Sequence, residues 1–251
     1  MKLARGVSLL KFLSIKSAAI LVLLILPGAA VSSDSDTVEE RGLPIVSKYV
    51  DATHAQEEAM RGVEMEVDIE AKIPSLEKHG RLRALRKISR LGVITYKALG
   101  FSGDNTVKQE VITRYLAAES EGRENGTIAI SPANYKFKVK SEQDIKGRRV
   151  VVLQITPRKK AIGLFRGELW VDAETGMPVR ESGQFVKSPS VFLKKIAFVR
   201  DYQMQDGMSI PAHIASMVDT RVAGRAELEI SFSNFTRQVG EEEVAAAEVN
   251  P

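Results

Sequence analysis

The sequence predicts an α+β protein that is mainly β: a large curved antiparallel sheet forming a half-open barrel covered by two or three helices. Three observations predict it. From Tyr135 to about Gln238, alternating or β-branched stretches recur at even spacing, separated by turn residues such as Ala173-Glu174-Thr175-Gly176 and Asp206-Gly207. Long helical periodicity is confined to two earlier segments, Leu43–Met60 and Asn105–Ser120. Two helices cannot by themselves close one face of about ten strands, so the sheet can curl around them as a partly open barrel, and an apolar hollow can then lie between sheet and helices.

The elements follow in order. Ser33 to Arg41 is polar and acidic, a loose start. In Leu43–Met60, Ile45, Tyr49, Ala52 and Ala59 share one side, with Pro44 tolerated in the first turn. Val63, Met65, Val67, Ile69 and Ala71 then alternate with Glu64, Glu66, Asp68 and Glu70, a half-buried strand with an acidic outer face that Pro74 ends. Arg81–Phe101 reads two ways. Leu82, Leu85, Ile88 and Leu91 fit a basic amphipathic helix, whereas Gly80, Gly92 and Val93-Ile94-Thr95-Tyr96 favour two strands turning near Arg90-Leu91-Gly92. Asp104-Asn105 caps a helix whose stripe is Val107, Val111, Ile112, Tyr115 and Leu116, with Glu110 and Arg114 paired at i,i+4. Seven further strands follow: Tyr135–Lys140, Arg148–Thr156, Gly163–Asp172, Pro178–Val186, Lys195–Gln205, Ser209–Thr220 and Gly224–Phe235. Residues 33–240 read as one domain, and 241–251 as a disordered, Glu- and Ala-rich tail.

Residues 1–32 have the three parts of a signal peptide. Lys2, Arg5, Lys11 and Lys16 are basic, Ala18–Leu26 is apolar, and Ala29-Ala30-Val31-Ser32 supplies small residues after Pro27-Gly28. The apolar run is about half the roughly twenty residues a membrane span needs. Cleavage after Ala30 or after Ser32 fits equally, and the product is expected in the periplasm. The chain carries 36 Lys and Arg against 32 Asp and Glu, and four of the basic residues lie in this segment with no acidic one. The mature charges therefore balance. Nucleic-acid binding, which needs a basic surface, is not expected.

The chain has no cysteine, so disulfides, thiol catalysis and cysteine metal sites are excluded. His54, His79 and His213 share no metal-ligand spacing, and no nucleophile elbow or glycine-rich nucleotide loop occurs. No enzyme activity, metal or cofactor is expected.

Gly167-Glu168-Leu169-Trp170-Val171-Asp172-Ala173-Glu174-Thr175-Gly176-Met177-Pro178-Val179-Arg180 resembles the strand–turn–strand of LolA-like proteins, the periplasmic outer-membrane lipoprotein carriers and their relatives. Phe198-Val199-Arg200-Asp201-Tyr202 followed by Asp206-Gly207-Met208-Ser209-Ile210-Pro211 is similar to the next hairpin of that group. The resemblance implies a half-open barrel holding lipid or lipoprotein acyl chains in an apolar cavity. The lining expected here is Phe137, Leu153, Leu169, Val171, Phe198, Tyr202 and Phe232, with a filled core of the same residues as the alternative. A monomeric carrier is one function the resemblance implies. An envelope sensor or regulatory scaffold binding a membrane-protein partner is the other, and a hydrolase of unknown type is a third possibility. Val191, Phe192, Leu193, Lys194 and Lys195 set apolar residues beside cations, as does Arg158–Phe165, which suits contact with a membrane or partner. Alternatively, Val191-Phe192-Leu193 begins a buried strand.

Overall fold

The computed structural model describes residues 34–116, 128–188, 193–221 and 224–237. The signal peptide, the acidic tail, Val191 and Phe192 lie outside the described residues. The element order is α1 (Asp34–Ala59), β1 (Val63–Ile73), β2 (Lys78–Ile88), β3 (Ile94–Gly103), α2 (Asn105–Val107), β4 (Tyr135–Ile145), β5 (Arg148–Pro157), β6 (Phe165–Asp172), β7 (Pro178–Phe185), β8 (Leu193–Gln205), β9 (Met208–Thr220) and β10 (Arg225–Arg237).

The ten strands form one antiparallel sheet, ordered β3-β2-β1-β10-β9-β8-β7-β6-β5-β4. The sheet is open, with β3 and β4 as its edges. Two meanders, β1–β3 and β4–β10, are joined by pairing β1 with β10, where Ile69 faces Ile230 and Val67 faces Phe232. The β2–β3 region is the hairpin expected, with Gly92 at φ +82° in its turn. The acidic outer face of β1 meets its counter-charges on β2, Arg81 on Asp68 and Arg83 on Glu66. These pairs are exposed and contribute little each. Edge strand β4 presents exposed Lys136, Lys138 and Lys140, charges that discourage pairing with another chain.

Two helical details differ from expectation. The backbone is helical from Asp34, so Ser33–Arg41 is not a loose start and Pro44 lies inside the helix instead of in its first turn. The second helix is not a plain α-helix. Asp104 caps α2 by accepting from the Thr106 N–H, and the chain then continues as a π-helical segment, Lys108–Thr113. The stripe still turns inward, with Val107 and Ile112 fully buried, and Arg114 pairs with Glu110 at 2.7 Å.

Both helical segments pack on one face of the sheet but over different strands. The α2 segment lies with β1, β2 and β10, in a cluster that includes Val67, Ile69, Leu82, Val107, Ile112 and Ile230. Helix α1 lies over β4, β5 and β6, in a cluster that includes Val46, Tyr49, Tyr135, Leu153, Phe165 and Leu169. Each fully buried aliphatic side chain there contributes roughly 1.5–3 kcal/mol.

Candidate functional site

The stretch Trp170–Pro178 explains how α1 is held. In the β6–β7 turn, Asp172 Oδ1 accepts the backbone N–H groups of Glu174 and Thr175, both at 2.9 Å. Its other oxygen, Oδ2, accepts from Arg148 at 3.1 Å. The turn ends on Gly176, at φ +76°, and α1 runs directly across it. Lys48 on α1 donates to the Ala173 carbonyl at 3.0 Å. A second tie lies further along the helix. The Gln56 side chain pairs with Ser209 of β9 as a strand would, donating to its carbonyl and accepting from its N–H.

Asp172 carries a testable acid sensitivity. Burial works against its charge, but the Thr175 and Glu174 N–H groups and Arg148 outweigh it and hold the carboxyl below its ordinary value. A lowered folded pKa means stability that is present above the unfolded value of about 4 and is lost as pH falls through the folded one. Asp172→Asn is therefore expected to destabilise the fold by about 1–2 kcal/mol at pH 7. It should also shrink the further loss seen on acidification to pH 3. Urea titrations at both pH values check this; equal acid-induced losses in parent and variant would remove Asp172 as the cause.

Beneath α1 the expected lining residues Leu153, Leu169 and Val171 are fully buried, and Phe198 nearly so. They pack with Tyr49, Tyr135 and Phe165, and Phe165 meets Phe198 edge-on at 4.8 Å between centroids. The Tyr135 hydroxyl accepts the Phe165 N–H at 3.2 Å, and burial pushes its pKa up to about 12. Phe137 is half-buried on edge strand β4. Phe232 is half-buried and far from these residues. It lines a cleft of about 270 Å³ with Met65, Ile210 and Phe235, where the β9–β10 pairing stops at Ser231–His213.

Between the two covers lies a polar cluster that the alternation did not reveal. Glu181 faces Leu169 across β6–β7, and Arg200 faces Glu181 across β7–β8, so both charges point to the helix-bearing face. Arg200 Nη1 donates to Glu181 Oε2 at 2.9 Å, and the Tyr202 hydroxyl donates to Glu181 Oε1 at 2.7 Å. The side chains differ in access: Glu181 is 6% exposed and Arg200 35%. Burial and then Glu181 raise the Tyr202 pKa. Burial, followed by the nearby Glu181, likewise raises that of Tyr49 on α1. Burial opposes the charge of Arg200, but Tyr202 and Glu181 beside it hold its pKa above the ordinary value.

From this cluster a strip of incomplete cover runs along β8 and β9. Arg200 faces Ile214, Phe198 faces Ser216, and Ile196 faces Val218. Ile214 and Phe198 are buried, whereas Ser216, Ile196 and Val218 are half-exposed. Phe185 of β7, also half-exposed, stacks against Phe198 at 5.3 Å. Trp170, Glu168 and Lys140 occupy the opposite face, where Trp170 donates to Glu168 and lies against Arg180. In the loop singled out for membrane or partner contact, Leu193 is half-buried and Lys194 and Lys195 are exposed.

No family model and no curated sequence matches the chain. Its fold is similar to that of a DUF1329 family protein from Desulfovibrio piger ATCC 29098, at 13% identity over 78% of this chain and 94% of that one, with a TM-score of 0.43. A LolA superfamily protein from Nitrosomonas europaea is similar at 14% identity over 81% and 96% of the chains, with a TM-score of 0.37. A domain named for outer membrane lipoprotein sorting, from Vibrio parahaemolyticus, is similar at 14% identity over 85% and 100%, with a TM-score of 0.40. These likenesses are low in identity and concern the arrangement of elements alone. Glu181 was missed because β7 does not alternate: Arg180, Glu181, Ser182, Gly183 and Gln184 give no apolar face to read. Arg200 was missed for its charge, although Phe198 and Tyr202 two residues to either side on β8 place it on their face.

Proposed function

We propose that the protein is an exported, periplasmic carrier that binds the acyl chain of a lipid or lipoprotein along the half-covered strip of β8 and β9. In this reading the sheet curls as a half-open barrel, with α1 and the α2 segment as its cover. One observation carries the proposal. Apolar side chains on the helix-bearing face stay only partly buried where the two clusters end: Val218 at the margin of one, Phe185 at the margin of the other, and Ile196 in neither. A guest chain laid there gains roughly 0.8 kcal/mol for each methylene it buries. The Glu181–Arg200–Tyr202 cluster at one end gives polar groups against which the head of such a guest can stop. The role is one of binding, without catalysis.

The test separates strip from core. Ile196→Asp and Val218→Asp place a carboxylate where water still reaches, so the fold is expected to persist while fatty-acid binding falls at least about tenfold, a loss of about 1.4 kcal/mol. Leu169→Asp buries an unpaired charge and is expected to unfold the protein. Circular dichroism and displacement of a fluorescent fatty acid read the two outcomes. Mass spectrometry of lipid extracted from protein purified out of the envelope identifies the cargo. A parent protein that binds no fatty acid and carries no lipid ends the carrier reading.

A further inference from the structure

Antiparallel order brings the β5–β6 and β7–β8 loops to the same end of the sheet, on neighbouring strands. The first loop presents Arg158, Lys159 and Lys160, all exposed, beside Ile162, an apolar side chain 51% exposed. Flanking the second are Lys187 and, at the start of β8, Lys194 and Lys195, also exposed. No acidic residue occurs from Gly147 to Gly167 or from Ser182 to Arg200. Several cations elsewhere are answered, Arg81 by Asp68, Arg148 by Asp172, Arg180 by Asp201 and Arg225 by Asp219; what sets this end apart is the clustering of its cations on sequence runs without an acidic residue. Among the described residues, Lys159, Lys160, Lys187, Lys194 and Lys195 form no ion pair. The half-exposed residues Ile196 and Val218 lie toward this same end of β8 and β9.

We propose that this end of the sheet is a docking surface for an anionic lipid bilayer. Arg158, Lys159, Lys160, Lys187 and Lys194 form no ion pair among the described residues, and Lys195 beside them faces Asp219, which Arg225 already answers. This cationic cluster suits a plane of phosphate headgroups, and Ile162 can enter the headgroup boundary beside it. Flexible lysines beside an exposed apolar side chain match a fluid plane of headgroups over an acyl boundary, which needs no fixed geometry from the cations. The surface rests on charge and exposure alone and stands whether or not the strip binds acyl chains. If both hold, cargo at the strip leaves or enters beside the bilayer.

The experiment is co-sedimentation of the exported chain, purified from the envelope, with phosphatidylcholine vesicles and with vesicles about one-third phosphatidylglycerol. Binding to the anionic vesicles is expected to be at least about tenfold tighter and to vanish between about 50 mM and 500 mM salt. K159E/K160E and K194E/K195E are each expected to weaken it at least about tenfold, since each reverses two charges at the surface. The same charge reversal at the opposite end, K87E/R90E, is expected to leave it unchanged. All these residues except Lys87, which is half-exposed, are exposed, and circular dichroism verifies each fold. Fatty-acid displacement by K159E/K160E should match the parent, which separates this surface from the strip. Equal binding to both vesicle types, or equal loss in K87E/R90E, overturns the proposal. So does tighter binding of soluble polyglutamate than of the anionic vesicles, which would assign the cations to an acidic protein partner.

Discussion

Gly176→Ala is expected to destabilise the protein by about 2–4 kcal/mol. Two costs combine. Gly176 sits at φ +76°, where a side chain costs about 1–2 kcal/mol. Its new Cβ would also lie 2.6 Å from the Lys48 carbonyl oxygen and 2.8 Å from the carbonyl carbon, both backbone atoms of α1 that cannot rotate aside. The relief is to lift α1 from the β6–β7 turn, which uncovers Tyr49 and loosens the Lys48–Ala173 bond. Gly147 is the matched control. It has φ +77° and nothing within 4 Å of its virtual Cβ, so Gly147→Ala carries only the backbone cost. Chemical denaturation of the two variants, with hydrogen exchange over residues 44–59, reads the difference. Equal losses at the two sites, with α1 exchange unchanged, would mean that the helix does not rest on Gly176.

Arg200→Met is expected to cost about 2–4 kcal/mol, and the loss should be largely recovered when Glu181 is replaced as well. Removing Arg200 leaves a carboxylate that is only 6% exposed, held by the Tyr202 hydroxyl alone. An unpaired buried charge costs about 3–5 kcal/mol; the 35% exposure of Arg200 lets water enter and places the expectation somewhat lower. In the double variant Glu181→Leu with Arg200→Met, desolvation disappears together with the attraction, so a neutral apolar pair is tolerated. A double-mutant cycle by urea denaturation measures the coupling, expected at about 1–3 kcal/mol. A coupling near zero would show that the pair is solvated and plays no part in holding the middle of the sheet.

The strand pattern was legible because it is local. In β1, Val63 through Ala71 alternate with acids, and every one of those apolar residues is buried. The choice of two strands over a basic helix for Arg81–Phe101 also rested on local chemistry, a β-branched run and a turn glycine, and the hairpin is present. Helix α2 was legible by its stripe but not by its hydrogen bonding, since a π-helical segment keeps the same residues inward while shifting the backbone partners. The start of α1 was misread because polarity alone was taken for looseness, although acidic residues are what a helix N-terminus accepts.

The sequence by itself determined which residues form strands, where they turn, and which face of most of them is apolar. It also placed the cationic loops, since a run without acidic residues needs no structure to be seen. Only the tertiary structure decided that β1 closes on β10, that the two helical segments cover different strands, and that Glu181, Arg200 and Tyr202 meet between them. The same holds for Gly176, a turn glycine in the sequence and the seat of α1 in the fold. The physical reason is range. Side-chain alternation repeats every two residues and needs no partner. The pairing of β1 with β10 joins residues about 160 positions apart, Ile69 with Ile230. Register is set only when strands meet, and a one-residue slip would send Glu181 and Arg200 to the other face.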